Sequence, residues 1–262
     1  MGFGGVLGDR LLWTIILIGL LSIKVKMNTR ISKIKIALEQ LSEDLLALSD
    51  DIWLSIDHND SQALDLGYCL KKEYNEQIDT FSKVVQNIGS TLVQFENICL
   101  LNDSSTPIHD SGNQGRENKN FEYNENHAHS INEDFCYKRP CGMKLENQIY
   151  PGDTWKAIYR KTIKHLSDKS PDIFNQLPES GFAKGRRKDK VYVALTPDSM
   201  KCPENIAGGL YFETNLSANS IRDSIHKLLR VFSIPDSEIV FYLREDKEVD
   251  ELGEPISAQN KT

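Results

Sequence analysis

Apolar residues recur along the first third of the chain with a helical period. From Ile31 they fall at Ile34, Leu38, Leu41, Leu45, Leu48 and Ile52, alternating three and four positions apart. This is the spacing of a heptad seam. Trp53 and Ile56 widen the stripe at its end, and Lys33, Lys35, Glu39, Gln40, Glu43 and Asp44 fill the other faces, where they suit solvent. The polar run Asp57-His58-Asn59-Asp60-Ser61 interrupts the pattern, and Asn59 with Gln62 makes a capping-box variant that restarts a helix. A second seam follows at Tyr74, Ile78, Phe81, Val85, Ile88, Leu92, Phe95 and Cys99. Two such seams joined by a short turn predict an antiparallel, coiled-coil-like helical hairpin over residues 27–101. A narrow seam buries little in a lone hairpin, so self-association or a partner helix is expected; the alternative is packing on the chain's own C-terminal part.

The pattern then changes twice. Residues 102–134 hold seven Asn and almost no apolar residues, which predicts a disordered linker. Over 135–246 short alternating runs mix with amphipathic ones. Residues 135–139 and 144–150 read as a strand pair around Pro140, Cys141 and Gly142. A helix capped by Asp153 or Thr154 carries Trp155, Ile158, Tyr159, Ile163 and Leu166 on one face. A short helix over 171–177, strands over 191–195 and 210–214, a helix over 217–232 and a strand over 238–243 complete the order ββααββαβ. The expected class is α+β, with a compact C-terminal domain of common size and a polar tail at 247–262.

Residues 11–23 (LLWTIILIGLLSI) form an uncharged stretch of 13 residues, shorter than the roughly 17–25 apolar residues of a membrane-spanning helix. Lys24, Lys26, Arg30, Lys33 and Lys35 follow it. Three readings stand for residues 1–26: a membrane anchor, an extension upstream of a start at Met27, and a buried helix. The first places the protein at the inner membrane with its C-terminal bulk in the cytoplasm, by the positive-inside rule; the others place it in the cytoplasm. No small-residue cleavage site marks a signal peptide.

Composition narrows the classes. The chain has 262 residues, 39% of them hydrophobic, and a formal net charge of −7. That excludes a collagen, a wholly disordered chain and a uniformly basic nucleic-acid coat. Five widely spread cysteines fit no disulfide framework and suit a reducing compartment; Cys69 and Cys99 read as small buried apolar residues. Residues 135–246 carry a small excess of positive charge on this acidic chain.

The densest basic cluster is Lys184, Arg186, Arg187, Lys188 and Lys190, opposed by Asp189 and flanked by Phe182 and Tyr192. Cations beside aromatics that can stack on bases suit nucleic acid; a protein or acidic-lipid partner and a merely solvated loop are the alternatives. Glu213-Thr-Asn-Leu-Ser-Ala-Asn219 reads as a strand end entering a helix, where Asn215 or Ser217 caps free N–H groups that can also hold an anion. The stretch Trp155…Phe174…Gly185-Arg186-Arg187-Lys188…Tyr211-Phe212-Glu213-Thr214-Asn215-Leu216-Ser217 resembles an uncharacterised prokaryotic C-terminal module. Its mark is an ETNLSAN-like strand-to-helix junction after a basic segment. The resemblance covers the last third of the chain, implies an association with bacterial DNA-processing or defence genes, and carries no catalytic residues.

Catalytic chemistry finds little footing. The GxxxxGK[ST], HExxH, GxSxG and GxGxxG motifs are missing from the sequence. Glu213, Glu238 and Glu245 with Lys190 are the only set suited to a metal-dependent nuclease, and they lack the required spacing. Cys136 and Cys141 with Cys202 and either His165 or His226 do not form a tight zinc pattern, and His58 among acids reads as a structural turn. His127 and His129, with His109, make only a loose histidine group. No cofactor, catalytic residue or small-molecule substrate is expected. The reading is a non-enzymatic bacterial interaction protein, a hairpin tethered to an α+β recognition module that binds nucleic acid, with a membrane-anchored cytoplasmic scaffold as the alternative and a nuclease behind both.

Overall fold

A computed structural model describes residues 6–101, 127–185 and 191–244, with backbone alone for 6–24 and 96–101. The fold is α+β: two long helices, then antiparallel sheets with shorter helices. Helix α1 spans Val6–Leu54 and α2 spans Ser61–Leu101. The chain divides into two units, residues 1–38 with 84–115 and residues 39–83 with 116–262.

In the first unit Ile31 is buried, whereas Ile34, Val84, Ile88 and Phe95 are exposed. Val84, Asn87, Ile88, Thr91 and Leu92 line a shallow apolar depression on α2. Among the described residues no helix is long and apolar enough to cross a membrane. The side chains of residues 11–23 lie outside the described set.

The second unit begins with the closed end of the hairpin. The Asp60 carboxylate accepts the N–H groups of Gln62 and Ala63 at 2.9 and 3.3 Å, so Asp60 caps α2 rather than Asn59. The helices meet through Ser49 Oγ donating to Asn75 at 2.6 Å and Tyr74 OH donating to the Leu45 carbonyl at 3.1 Å. His58 stacks edge-on against Trp53, a structural role. Cys69 is exposed, against its expected burial.

Strands β1 (Ala128–Ser130), β2 (Pro140–Leu145), β3 (Gln148–Pro151) and β7 (Ile239–Leu243) form an antiparallel sheet of order β1-β7-β2-β3. Strands β4 (Val193–Ala194), β5 (Pro203–Ala207) and β6 (Leu210–Glu213) form a second, of order β4-β6-β5. Helix α3 (Trp155–Lys169) packs on both sheets and on α5 (Ala218–Val231); α4 (Pro171–Asn175) follows α3. The core joins Trp155, Phe135 and Phe241 at one end to Tyr159, Phe174 and Phe212 at the other.

The order differs from ββααββαβ by two short strands, β1 and β5. Residues 135–139 form a turn instead of a strand. Tyr137 has φ +57°, and the Lys138 N–H bonds back to the Phe135 carbonyl at 3.1 Å, which ends any extended run. Strand β1 and the buried Ile131 fall within the stretch expected as linker; residues 102–126 and the tail 247–262 lie outside the described set.

Candidate functional site

Of the basic segment only Lys184 is described; it is exposed and forms an isolated bridge with Val191. Arg186, Arg187, Lys188 and Lys190 lie outside the described residues. The flanks on either side are pinned: the Tyr192 N–H donates to the Ala183 carbonyl at 2.9 Å, and the Glu213 N–H donates to the Tyr192 carbonyl at 3.0 Å. Phe182 is buried, so its ring packs in the core and is not a base-stacking surface. Tyr192 is half-buried, 6.0 Å from the Phe182 ring, and the Lys227 ammonium sits 5.5 Å from the Tyr192 ring centroid. Sequence reading missed Lys227. Its signal was the exposed face of α5, where Lys227 and Arg230 alternate with buried Leu228 and Leu229.

The junction between β6 and α5 is internally satisfied. Ser217 caps α5 by accepting the Ser220 N–H, is buried, and donates to Ser220 Oγ at 3.1 Å. Asn215 accepts from Ser82 Oγ at 3.1 Å, and its N–H donates to Glu213 at 2.7 Å. Neither residue presents an open anion seat. The Glu213 carboxylate also accepts the N–H groups of Lys201 and Cys202 at 2.7 and 3.2 Å, so both its oxygens hold backbone in place. Glu245 and Lys190, its suggested companions, lie outside the described residues.

Among the described residues no group of three or more His, Cys, Asp or Glu is placed to hold a metal ion. His165 is engaged between the Tyr150 hydroxyl at 2.7 Å and Glu146 Oε2 at 2.9 Å. The Cys136 sulfur accepts from Asn219 Nδ2, and His226 pairs with Asp236 at 2.9 Å.

The most developed polar constellation sits where residues 39–51 of α1 meet the start of α3. Glu39, Glu43 and Asp44 were expected to face solvent. They bind instead, because the first turn of α3 offers an unpaired N–H group to Glu43 while Arg160 and Arg139 offer cations to Glu39 and Asp44. Glu39 accepts the Thr154 hydroxyl at 2.8 Å and Arg160 Nη2 at 3.0 Å. One turn on, Glu43 accepts the Lys156 N–H at 2.8 Å. Asp44 receives both Nη atoms of Arg139, one of them at 2.8 Å, and Asp51 accepts the Tyr137 hydroxyl at 2.6 Å. Burial pushes the Glu39 carboxyl up, but Arg160 and Lys156 outweigh it and hold Glu39 below the usual range. Glu43 has no cation of its own; burial raises it to about 7, opposed in part by the Lys156 N–H. Arg160 is held protonated: its burial is outweighed by hydrogen bonds and charge from Glu204 and Glu39.

No protein-family model matches the chain, and no curated protein or solved structure is significantly similar to it.

Proposed function

We propose that this is a non-enzymatic interaction protein whose α+β domain contacts nucleic acid through the basic segment at 184–190 while its helical hairpin mediates assembly. One observation carries the nucleic-acid reading. In the sequence the five cations lie between Ala183 and Tyr192, whose backbones are hydrogen-bonded to each other, and Lys227 stands over the Tyr192 ring, a further cation at the end of the segment. A cluster of this density is read by phosphates whatever the base sequence. Asn215 and Ser217 are left out of the proposal, because their hydrogen-bonding groups are taken within the chain. The assembly reading draws on Ile34, Leu41 and Leu48, one heptad apart and 50%, 46% and 41% exposed. The suggested setting is a bacterial DNA-processing or defence system.

The test is fluorescence anisotropy of the full chain with mixed-sequence DNA across a salt series. Replacing Lys184, Arg186, Arg187, Lys188 and Lys190 together by Gln should weaken binding at least about tenfold and flatten the salt dependence, since each lost phosphate contact removes about one unit of slope. Unchanged affinity and slope would overturn the reading. Light scattering of the same chain tests assembly, with a monomer at all concentrations as the adverse result.

A second reading, a membrane-anchored scaffold, is favoured by one feature: α1 runs unbroken from Val6 to Leu54, so the apolar stretch 11–23 shares a helix with the hairpin. Chains begun at Met1 and at Met27 separate the two. Membrane recovery of only the longer form supports the anchor, and recovery of both from the soluble fraction removes it.

A further inference from the structure

A carboxyl group buried without a counter-ion is costly in its charged form, and Glu43 is only 4% exposed. Its Oε1 accepts the Lys156 N–H, while Oε2 has no hydrogen-bond partner. The charged groups around it come from every element packed there. On α1 these are Glu39, one turn earlier, and Asp44. Helix α3 brings Lys156 and Arg160, the segment before β2 brings Arg139, and β5 brings Glu204. The cations already have carboxylate partners. Arg160 binds Glu39 and Glu204, Arg139 binds Asp44, and Lys156 Nζ lies 3.8 Å from Glu204. An ionised Glu43 therefore meets the backbone N–H groups of Lys156 and Trp155 and the more distant charge of Arg139, set against its burial and the like charge of Glu39.

We propose that Glu43 is a proton-operated latch: its neutral form seats α1 on the first turn of α3, and its ionisation loosens that seat. The position of its titration, raised to about 7 from 4.5, agrees with this geometry. The sign follows from linkage. Below the ordinary carboxyl value both seated and released forms are protonated, and the seat is firm. As pH climbs towards 7 the released form ionises first, so release becomes steadily easier; above 7 both forms are charged and the change levels off. The clamp is thus looser at neutral than at mildly acid pH.

Hydrogen–deuterium exchange of the full chain at about pH 5.5 and 7.5, corrected for intrinsic rates, tests it. In the wild type, protection of the Lys156 amide and of residues 39–51 should fall about twentyfold between the two. In Glu43→Gln, which keeps an acceptor and cannot ionise, it should change less than about threefold. A wild-type change below about threefold, or an equal fall in Glu43→Gln, overturns the latch. Should the variant not fold, carboxyl-carbon NMR of the wild type decides. A Glu43 midpoint above about 5.5 supports the latch, and one at or below it overturns it.

Discussion

Arg160 holds Glu204 in a two-pronged grip, with Nε donating to Oε1 at 2.6 Å and Nη2 to Oε2 at 3.0 Å. The same Nη2 reaches Glu39, so one guanidinium ties α1 and β5 to α3. Removing it leaves two partly buried carboxylates with Lys156 as the remaining nearby cation and without their direct hydrogen bonds to a guanidinium. Arg160→Leu should lower stability by about 3 kcal/mol in denaturant unfolding. Arg160→Lys should recover only part, because an ammonium cannot span both oxygens and Glu39 at once.

Thr154 uses one hydroxyl twice. Its oxygen accepts the Ala157 N–H at 3.0 Å as the α3 cap, and its proton goes to Glu39 at 2.8 Å. Thr154→Ala loses both bonds and should cost about 1–2 kcal/mol, whereas Thr154→Ser should stay near wild type in thermal unfolding.

Gly67 lies where α2 passes Ile56. A Cβ there would sit 2.4 Å from the Ile56 side chain. Gly67→Ala should destabilise by about 1–3 kcal/mol through overpacking. Adding Ile56→Ala should bring back part of that loss, a coupling that a double-mutant cycle measures.

The cysteines should separate by reactivity. Burial first, and then the Asp134 charge, push the Cys136 thiol up to about 11, and burial also raises Cys141 and Cys202. Near pH 8 the Cys136 thiolate is about a thousandth of the thiol. Iodoacetamide followed by peptide mapping should therefore modify exposed Cys69 before Cys136, Cys141 and Cys202. Cys136 should react only as pH approaches 11, and Cys141 and Cys202 only on unfolding.

Features set by neighbours in sequence were legible without a structure. The Thr154 and Ser217 caps, and the buried faces of α3 and α5, follow from side chains within four positions of one another. Half of the α1 seam was legible too: Leu38, Leu45 and Ile52 are partly covered, while Ile34, Leu41 and Leu48 are not. What escaped is non-local. Hydrophobic periodicity says nothing about Glu39 and Glu43, whose partners at Thr154 and Lys156 lie more than 100 positions away. Strand β1 is equally silent. Ala128, His129 and Ser130 make a polar tripeptide held to β7 through its backbone. The cation over Tyr192 went unnoticed because Lys227 is 35 positions from the ring it covers.

Strand β7 lies inside its sheet, paired with β1 on one side and β2 on the other, though it is the last of the described strands. Neither neighbour can complete its ladder until Ile239–Leu243 has left the ribosome. The contacts between the two helices, such as Ser49 with Asn75 and Leu45 with Tyr74, join residues fewer than 30 positions apart and can form long before that. During synthesis, then, a made hairpin waits beside an unfinished sheet with two bare edges, and the arrival of five residues seals both at once.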